Sequence, residues 1–216
     1  MKLLSTILCM CIASQAEAYI GFDGIQAMSV NAFNCLQNQG FSFYVTRVWQ
    51  EIGDYDFTGI QNIKNARAAG WNDVDGYIYP CRRSTCASAA HQMEATIDQL
   101  GRSGAQIGMI WLDIERDSEW SSNLGVNQQL IRDLVNQAQS QGVKVGIYTN
   151  NNNWAAIVGI DWSEFSSLPL WWANYNGQQN YDGFVPFGGW TRPAIRQYQG
   201  DVAGHCGVSM DLNWYP

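Results

Sequence analysis

The segment Ile107-Gly108-Met109-Ile110-Trp111-Leu112-Asp113-Ile114-Glu115 is an apolar run with two acids at its C-terminal end. In a β-strand, successive side chains point to opposite faces. One face of this strand therefore carries Ile107, Met109, Trp111, Asp113 and Glu115. The other face carries small and aliphatic side chains, which suit packing beneath helices. A strand face that changes from apolar to acidic toward its end is typical of the catalytic rim of a β/α-barrel.

Short apolar segments and amphipathic segments alternate on both sides of this strand. The predicted strands are Tyr19–Gly24, Phe41–Trp49, Val74–Pro80, Ile107–Glu115, Lys144–Asn150, Leu170–Asn176, Ala194–Gln199 and Val208–Trp214. The predicted helices are Ser29–Gln39, Asp56–Ala69, Ser84–Arg102, Val126–Gln141 and Asn152–Val158. Five βα units followed by three strands predict an α/β fold, an irregular, TIM-barrel-like β/α-barrel. A doubly wound open sheet is the alternative, although no glycine-rich phosphate loop follows the first strand.

The N-terminal segment predicts a secretory signal peptide over residues 1–18. A basic start at Lys2 precedes an apolar run, and Ala16-Glu17-Ala18 supplies small residues for cleavage. The run is shorter than the roughly 20 residues that a membrane-spanning helix needs. We therefore expect a secreted, extracellular protein whose mature chain, residues 19–216, is one catalytic barrel without a membrane anchor.

Four cysteines remain after the signal peptide, and in an oxidising compartment they favour two disulfides. They allow three pairings. Cys81 and Cys86 are close enough to close one loop, which leaves Cys35 and Cys206 for a long-range bridge. A zinc site is the alternative, but His91 and His205 lack ligand spacing. No metal and no cofactor are predicted.

The charge balance limits the partners of the chain. A formal net charge of −7 argues against nucleic acid, whose phosphates require basic patches. It also provides no long-range attraction toward anionic polymers. Ten tryptophans and ten tyrosines suit carbohydrate binding as well as an ordinary core. A monomer is expected.

Acids also occur on two other predicted strands. Asp23 ends the first strand, and Asp211 lies on the last, which neighbours the first in a closed barrel. Carboxylates that are crowded together repel, so one keeps its proton near neutral pH and can act as an acid. A lone Asp-x-Glu would more often be a solvated strand end. Acids on three strands instead predict a catalytic cluster of Asp23, Asp113, Glu115 and Asp211.

Three motifs together resemble glycoside hydrolase family 25, a family of N-acetylmuramidases (lysozymes). They are Gly21-x-Asp23, Trp111-Leu112-Asp113-Ile114-Glu115 and Met210-Asp211-Leu212-Asn213. The likeness extends over nearly the whole mature chain and is closest to the secreted animal branch. It implies a barrel of five βα units plus three strands. It also implies hydrolysis of the β-1,4 bond between N-acetylmuramic acid and N-acetylglucosamine in bacterial peptidoglycan.

The same resemblance implies roles for the acids. Glu115 resembles the general acid, and Asp113 the carboxylate that assists the 2-acetamido group or stabilises the oxocarbenium-like state. Asp23 and Asp211 resemble the acids that complete the site. Inverting and substrate-assisted retaining mechanisms both remain open. The chain departs from many members after Asp23, where it reads Gly24-Ile25-Gln26-Ala27.

Side chains near strand ends are candidate sugar contacts. Tyr77 and Tyr79 share the inward face of the third strand, and Trp49 lies near the end of the second. The substrate-binding residues predicted are Tyr77, Tyr79, Tyr148, Trp172 and Asn174. Each aromatic ring among them could equally belong to the core.

Two other functions remain possible from the sequence. A chitinase-like glycosidase normally needs further acids on the fourth strand, where this chain has Gln106 and Met109. A catalytically inactive sugar-binding barrel has no need for four clustered acids. A lysozyme would serve innate defence against bacteria or their digestion, in the gut lumen or a lysosome-like compartment.

Overall fold

The computed structural model describes residues 18–216 of the chain. The signal peptide predicted for residues 1–18 lies outside these residues, apart from Ala18. The strands are β1 (Tyr19–Asp23), β2 (Phe41–Gln50), β3 (Asp54–Tyr55), β4 (Asp73–Ile78), β5 (Ile110–Asp113), β6 (Val145–Thr149), β7 (Leu170–Ala173), β8 (Ile195–Ala203) and β9 (Ser209–Tyr215). The helices are α1 (Val30–Asn38), α2 (Phe57–Ala68), α3 (Ala89–Ser103), α4 (Leu124–Ser140) and α5 (Asn151–Ile157).

Eight of the strands form a closed barrel. Their order is β1, β2, β4, β5, β6, β7, β8 and β9, and β9 pairs back onto β1. Neighbours from β1 to β8 are parallel, whereas β9 is antiparallel to both of its neighbours. The short β3 pairs with the end of β2 outside the ring. Closure confirms the predicted α/β-barrel and excludes the doubly wound sheet.

The helices begin where short polar side chains can cap them. The cap residues are Ser29, Asp56, Ser88, Asn123 and Asn150, each accepting a hydrogen bond from a backbone N–H in the first turn. Such a cap satisfies an otherwise unpaired donor and contributes about 1 kcal/mol. None of the helices within residues 18–216 is long and apolar enough to cross a membrane.

Several predicted boundaries were wrong: for example, the strand predicted over Leu170–Asn176 ends at Ala173, and the strand predicted over Ala194–Gln199 continues to Ala203. Helix α3 begins at Ala89 rather than Ser84, because the Cys81–Cys86 disulfide closes the preceding loop and Ser88 caps the helix by accepting from the His91 N–H. Strand β5 is limited to Ile110–Asp113, so Glu115 lies just beyond its end. The face assignment holds nevertheless, because Ile110, Leu112 and Ile114 pack under the helices and Trp111 packs inside the barrel.

The barrel interior is filled by packed side chains. The buried side chains of the interior are those of Phe43, Val45, Trp111, Tyr148, Trp171 and Ile195. Glycines on neighbouring strands make room for the largest rings. A Cβ at Gly146 would lie 2.3 Å from a ring atom of Trp111, and a Cβ at Gly21 would lie 2.5 Å from a ring atom of Phe43. Burial of each large apolar side chain contributes about 1.5–3 kcal/mol. This packed layer supports the acids above it.

Two disulfides have the predicted pairing. Cys35 on α1 joins Cys206, which lies in a 3₁₀ turn before β9, with the Cα atoms 6.1 Å apart. Cys81 and Cys86 close the loop between β4 and α3. The first bridge spans 171 positions and ties the first βα unit to the last strand. It therefore reinforces the part of the barrel where the two ends of the sheet meet.

Replacing Cys35 and Cys206 together by alanine should destabilise the barrel without altering its site. In the chain-entropy model, opening a loop of this length costs about 4–5 kcal/mol. Chemical denaturation of the variant and the parent measures this loss. An unchanged free energy of unfolding would show that the bridge does not constrain the unfolded chain.

Candidate active site

A small acidic cavity lies at the end of the barrel where the parallel strands terminate. Asp23 is the last residue of β1, Asp113 is the last of β5, and Glu115 follows two positions later. Asp211 lies opposite Asp23 because β9 runs antiparallel to β1. The cavity has a volume of about 110 Å³ and is lined by Asp23, Tyr77, Asp113, Glu115, Tyr148, Trp171, Tyr175, Gln197 and Asp211.

A larger cavity of about 310 Å³ lies at the opposite end of the barrel, lined mainly by apolar residues. Its buried acid, Asp75, already accepts hydrogen bonds from the Met109 N–H at 2.9 Å and the Trp111 indole at 3.0 Å. This carboxylate therefore has a structural role in joining β4 to β5. The acidic cavity is the candidate active site, because its carboxyl groups converge from separate strands.

Gln197 on β8 organises two of the four acids. Its amide nitrogen donates to Asp23 Oδ1 at 2.8 Å and to Asp211 Oδ2 at 3.2 Å. Its amide oxygen accepts from the hydroxyls of Tyr148 at 2.5 Å and Tyr175 at 2.8 Å. The two hydroxyls fix the orientation of the amide, so its N–H groups must face the carboxylates.

A second amide holds Asp23 from the other side. Asn213 Nδ2 donates to Asp23 Oδ1 at 2.6 Å, while its oxygen accepts from the Trp171 indole at 2.7 Å. Asp23 Oδ1 thus accepts from both amides, which lower the pKa of Asp23, but burial and its acidic neighbour Asp211 outweigh them. Together these effects raise the pKa of Asp23 to about 8.

Asp113 and Glu115 form the other half of the cluster. Burial, together with the charge of Glu115, raises the pKa of Asp113 well above its usual value. Burial also raises the pKa of Glu115, although its hydrogen bond with Asp113 opposes that shift. Two carboxyl groups can hydrogen-bond only if one carries a proton. The raised pKa values of both groups favour retention of a proton by the pair, and Asp113 Oδ1 has no hydrogen-bond partner among residues 18–216.

Burial also affects the fourth acid, Asp211. Burial raises the pKa of Asp211, although the Asp201 N–H, which donates to it at 2.6 Å, opposes the shift. All four acids thus hold protons more tightly than in water. Such a site can donate a proton at neutral pH and can stabilise positive charge that develops on a bound molecule.

The five predicted sugar contacts lie in different places. Tyr77 and Tyr148 line the acidic cavity. Tyr79 lies beyond β4 at the rim, with its hydroxyl donating to Asp117 Oδ2 at 2.7 Å. Trp49, near the end of β2, is buried under the helices and donates to Gln92 Oε1 at 3.1 Å.

Trp172 and Asn174 do not line the cavity. They lie on the outward face of β7 and its extension, where Trp172 stacks 4.7 Å from the Arg196 guanidinium. The backbone oxygen of Asn174 accepts from the same guanidinium at 3.2 Å. The inward positions belong to Trp171 and Tyr175, and Tyr175 is 58% exposed at the cavity mouth.

Sequence reasoning missed four residues of the site, namely Trp171, Tyr175, Gln197 and Asn213. The alternation of strand side chains could have found three of them. Trp171 and Tyr175 alternate with Trp172 and Asn174, and Gln197 shares the inward face of β8 with Ile195. The orientation of the Asn213 amide depends on Trp171, a contact between distant segments that no local pattern reveals.

Asp113→Asn should stabilise the fold increasingly as pH rises. Between pH 3.8 and the raised pKa of Asp113, the folded state binds more protons than the unfolded state, so the free energy of unfolding falls with pH. The amide of the Asp113→Asn variant does not titrate, so this fall in the free energy of unfolding is absent from the variant. We expect Tm to rise by at least about 2 °C at pH 7.5, which corresponds to roughly 1 kcal/mol for a chain of this size, and to stay unchanged at pH 3.

The matched control is Asp161→Asn, at an exposed position that does not line the cavity. Its Tm should follow that of the parent at both pH values. Equal Tm values for Asp113→Asn and the parent at pH 7.5 would mean that Asp113 ionises without cost.

Comparisons with known proteins agree with this architecture. A family model described as Lysozyme-like protein 1 matches residues 14–198. The chain is 46% identical over 211 residues to Lysozyme-like protein 5 of Caenorhabditis elegans, covering 98% of this chain and 97% of that protein. It is 40% identical over 200 residues to the probable GH family 25 lysozyme 4 of Dictyostelium discoideum, covering 93% and 92%.

Among solved structures, the Clostridium perfringens spore cortex lytic enzyme SleM shares the fold, with a TM-score of 0.73 and 22% identity. The match covers 94% of this chain and 69% of that one. The sequence relatives extend over nearly the whole chain, and the resemblance noted in the three acidic motifs is therefore confirmed. The chain belongs to the glycoside hydrolase family 25 lysozymes.

Proposed function

We propose that this chain is an N-acetylmuramidase that hydrolyses the β-1,4 bond between N-acetylmuramic acid and N-acetylglucosamine in bacterial peptidoglycan. The observation that carries the proposal is the convergence of Asp23, Asp113, Glu115 and Asp211 on one cavity that favours their protonated forms. The names of its relatives support the same reaction. All four acids come from one chain, so a monomer suffices.

In the proposed reaction, Glu115 acts as the general acid. Its proton passes to the glycosidic oxygen, the bond from that oxygen to the anomeric carbon breaks, and the leaving sugar departs with a neutral hydroxyl. Water then adds to the anomeric carbon and loses a proton to a carboxylate. Once Glu115 has given up its proton, the cluster carries negative charge, which stabilises the positive charge on the sugar, and Asp113, Asp23 and Asp211 complete the acidic wall of the cavity.

We assign the sugar contacts to the side chains at the mouth of the cavity. Tyr77 and Tyr148 line it, and the exposed ring of Tyr175 offers a flat surface against which a sugar can pack. Gln197 is assigned a positioning role, because its amide is held by the hydroxyls of Tyr148 and Tyr175. It keeps Asp23 and Asp211 at fixed places beside the substrate.

The proposal also covers the cleavage of the signal peptide and the place where the protein acts. A mature chain of residues 19–216 is supported by the start of β1 at Tyr19. Two disulfides fit a protein that is secreted through an oxidising compartment. Within that setting, we propose roles in digestion of bacteria and innate defence against them.

Glu115→Gln should abolish lysis of bacterial walls while the fold is retained. The amide keeps the shape but cannot transfer a proton, and general acid catalysis is typically worth 10²–10⁴-fold. Zymograms on bacterial walls and on chitin, beside circular dichroism spectra, provide the measurement. Glu119→Gln, the same change at an exposed position nearby, should retain the parental rate.

Three outcomes would contradict the proposal in different ways. Wild-type turnover by a well-folded Glu115→Gln protein would remove Glu115 from the reaction. Preferential cleavage of chitin would point to a chitinase-like enzyme. Binding of walls without any cleavage would point to an inactive sugar-binding barrel.

Maximal lysis should occur at mildly acidic pH, near about 4–6 from carboxyl reference values. The chain carries a net charge of −7 and bacterial walls are anionic, so repulsion weakens as carboxylates are protonated. The raised pKa of Glu115 keeps a proton available in that range. A rate profile from pH 3 to 9 at two ionic strengths measures this. An optimum above pH 7, or strong inhibition by modest salt, would show that local positive charge governs wall binding.

A further inference from the structure

We propose that Arg82 is a positioning residue for the acid pair, acting through a cluster that also contains Tyr79, Asp117 and Trp120. We call this cluster the Arg82 clamp. It lies beside the acidic cavity but does not line it. The inference rests on the proposed function, because it assigns to the clamp the task of holding Glu115 in place for proton transfer.

The guanidinium of Arg82 is enclosed between two aromatic rings. Its central carbon lies 4.5 Å from the Trp120 ring centre and 5.1 Å from that of Tyr79. Its terminal nitrogens pair with the carboxylate of Asp117 and donate to the backbone oxygen of Pro80 at 2.6 Å. The Tyr79 hydroxyl donates to the same Asp117 carboxylate at 2.7 Å. The side chain of Arg82 is 3% exposed, so its charge is almost completely removed from solvent.

The clamp is anchored to the body of the barrel on one side. Arg82 follows Cys81, which is held by the disulfide to Cys86. The backbone of Cys81 also exchanges two hydrogen bonds with the buried Gln92 amide of α3, at 2.8 Å and 2.9 Å. A second contact to the same amide comes from Trp49. Arg82 is therefore attached to a fixed point and not to a free loop.

On its other side, the clamp contacts Glu115 through the side chain of Trp120. The Trp120 indole N–H donates to the backbone oxygen of Glu115 at 2.6 Å. Residues 115–120 form the turn that leaves β5, and this bond closes the turn against the Arg82 side chain. Because Glu115 lies beyond the last strand residue, the barrel ladder alone does not fix it. The neighbouring residues Ile114 and Arg116 are hydrogen-bonded to β6 and α5, and the indole adds a bond to the backbone oxygen of Glu115 itself.

Arg82 also acts on the acids through its charge. The guanidinium lowers the pKa of Asp113, opposing the larger effects of burial and of Glu115. Its Nε is buried without a hydrogen-bond partner in the described part of the chain, and screening by water is small at such exposure. The other titratable groups that face Asp113 are Glu115, Asp23, Tyr77, Tyr79 and Tyr148. All of these groups are acids that become negatively charged when they lose a proton, so the positive charge of Arg82 offsets an otherwise negative environment.

The test compares Arg82→Met and Arg82→Lys with Arg83→Met, a matched control at a neighbouring side chain that is 46% exposed. We expect Arg82→Met to lower kcat on bacterial walls or soluble peptidoglycan fragments by about ten- to a hundredfold, as for a displaced catalytic group, with a smaller change in KM. Its pH–rate profile should move to higher pH, because loss of the cation raises the pKa of Asp113. In Arg82→Lys, the pH–rate profile should return closer to that of the parent than kcat does.

Trp120→Phe separates the two effects of the clamp. It keeps an aromatic ring over Arg82 but removes the N–H that donates to Glu115. We expect a lower kcat with no shift in the pH profile. Thermal unfolding of every variant shows whether the fold is retained, and kinetics are compared only below the transition.

The outcomes distinguish this inference from the proposed function. If the parent chain does not cleave peptidoglycan, the proposed function fails before the variants are compared. If the parent is active and folded Arg82→Met matches Arg83→Met in both kcat and pH profile, the Arg82 inference is overturned. A loss of kcat in Arg82→Met with an unshifted profile would overturn its electrostatic part.

Discussion

The structure depends on the confinement of four carboxyl groups in one cavity at the end of a closed barrel. Carboxylates so close together repel, and burial removes the water that would otherwise stabilise them. The protein offsets these costs with two amides, Gln197 and Asn213, and by raising the pKa values of Asp113 and Glu115, which favours their protonated forms. The arrangement costs stability and supplies a proton donor at neutral pH, a balance typical of active sites.

The barrel makes this confinement possible through the directions of its strands. Parallel strands bring the ends of β1 and β5 to the same rim, while antiparallel β9 brings an interior position, Asp211, beside the end of β1. Below the rim, Trp111 and Trp171 fill the interior and give the acids a rigid support. The irregular last strand is therefore part of the site as well as part of the barrel.

Much of this could be predicted from the sequence, because strand periodicity is local. The faces of β5 followed from alternation within one short segment, and the closed barrel and the meeting of the four acids followed from the order of strands and helices along the chain. The short spacing of Cys81 and Cys86 indicated one disulfide and left Cys35 and Cys206 for the other. The start of α3 was wrong because a disulfide and a cap overrode helix periodicity. Choosing Trp172 rather than Trp171 selected the wrong face of one strand. The Arg82 clamp joins side chains up to 41 positions apart, so only the folded structure brings them together.

The most direct test of the account is a titration of the carboxyl groups themselves. Carbon-13 NMR of protein labelled at Asp and Glu side chains, assigned with the corresponding Asn and Gln variants, would follow each proton. We expect Asp23 to titrate with a pKa of about 8 and Asp113 to titrate well above its usual value. Ionisation of all four groups near the ordinary values of about 4 would contradict the account, because no proton would then be held for catalysis at neutral pH.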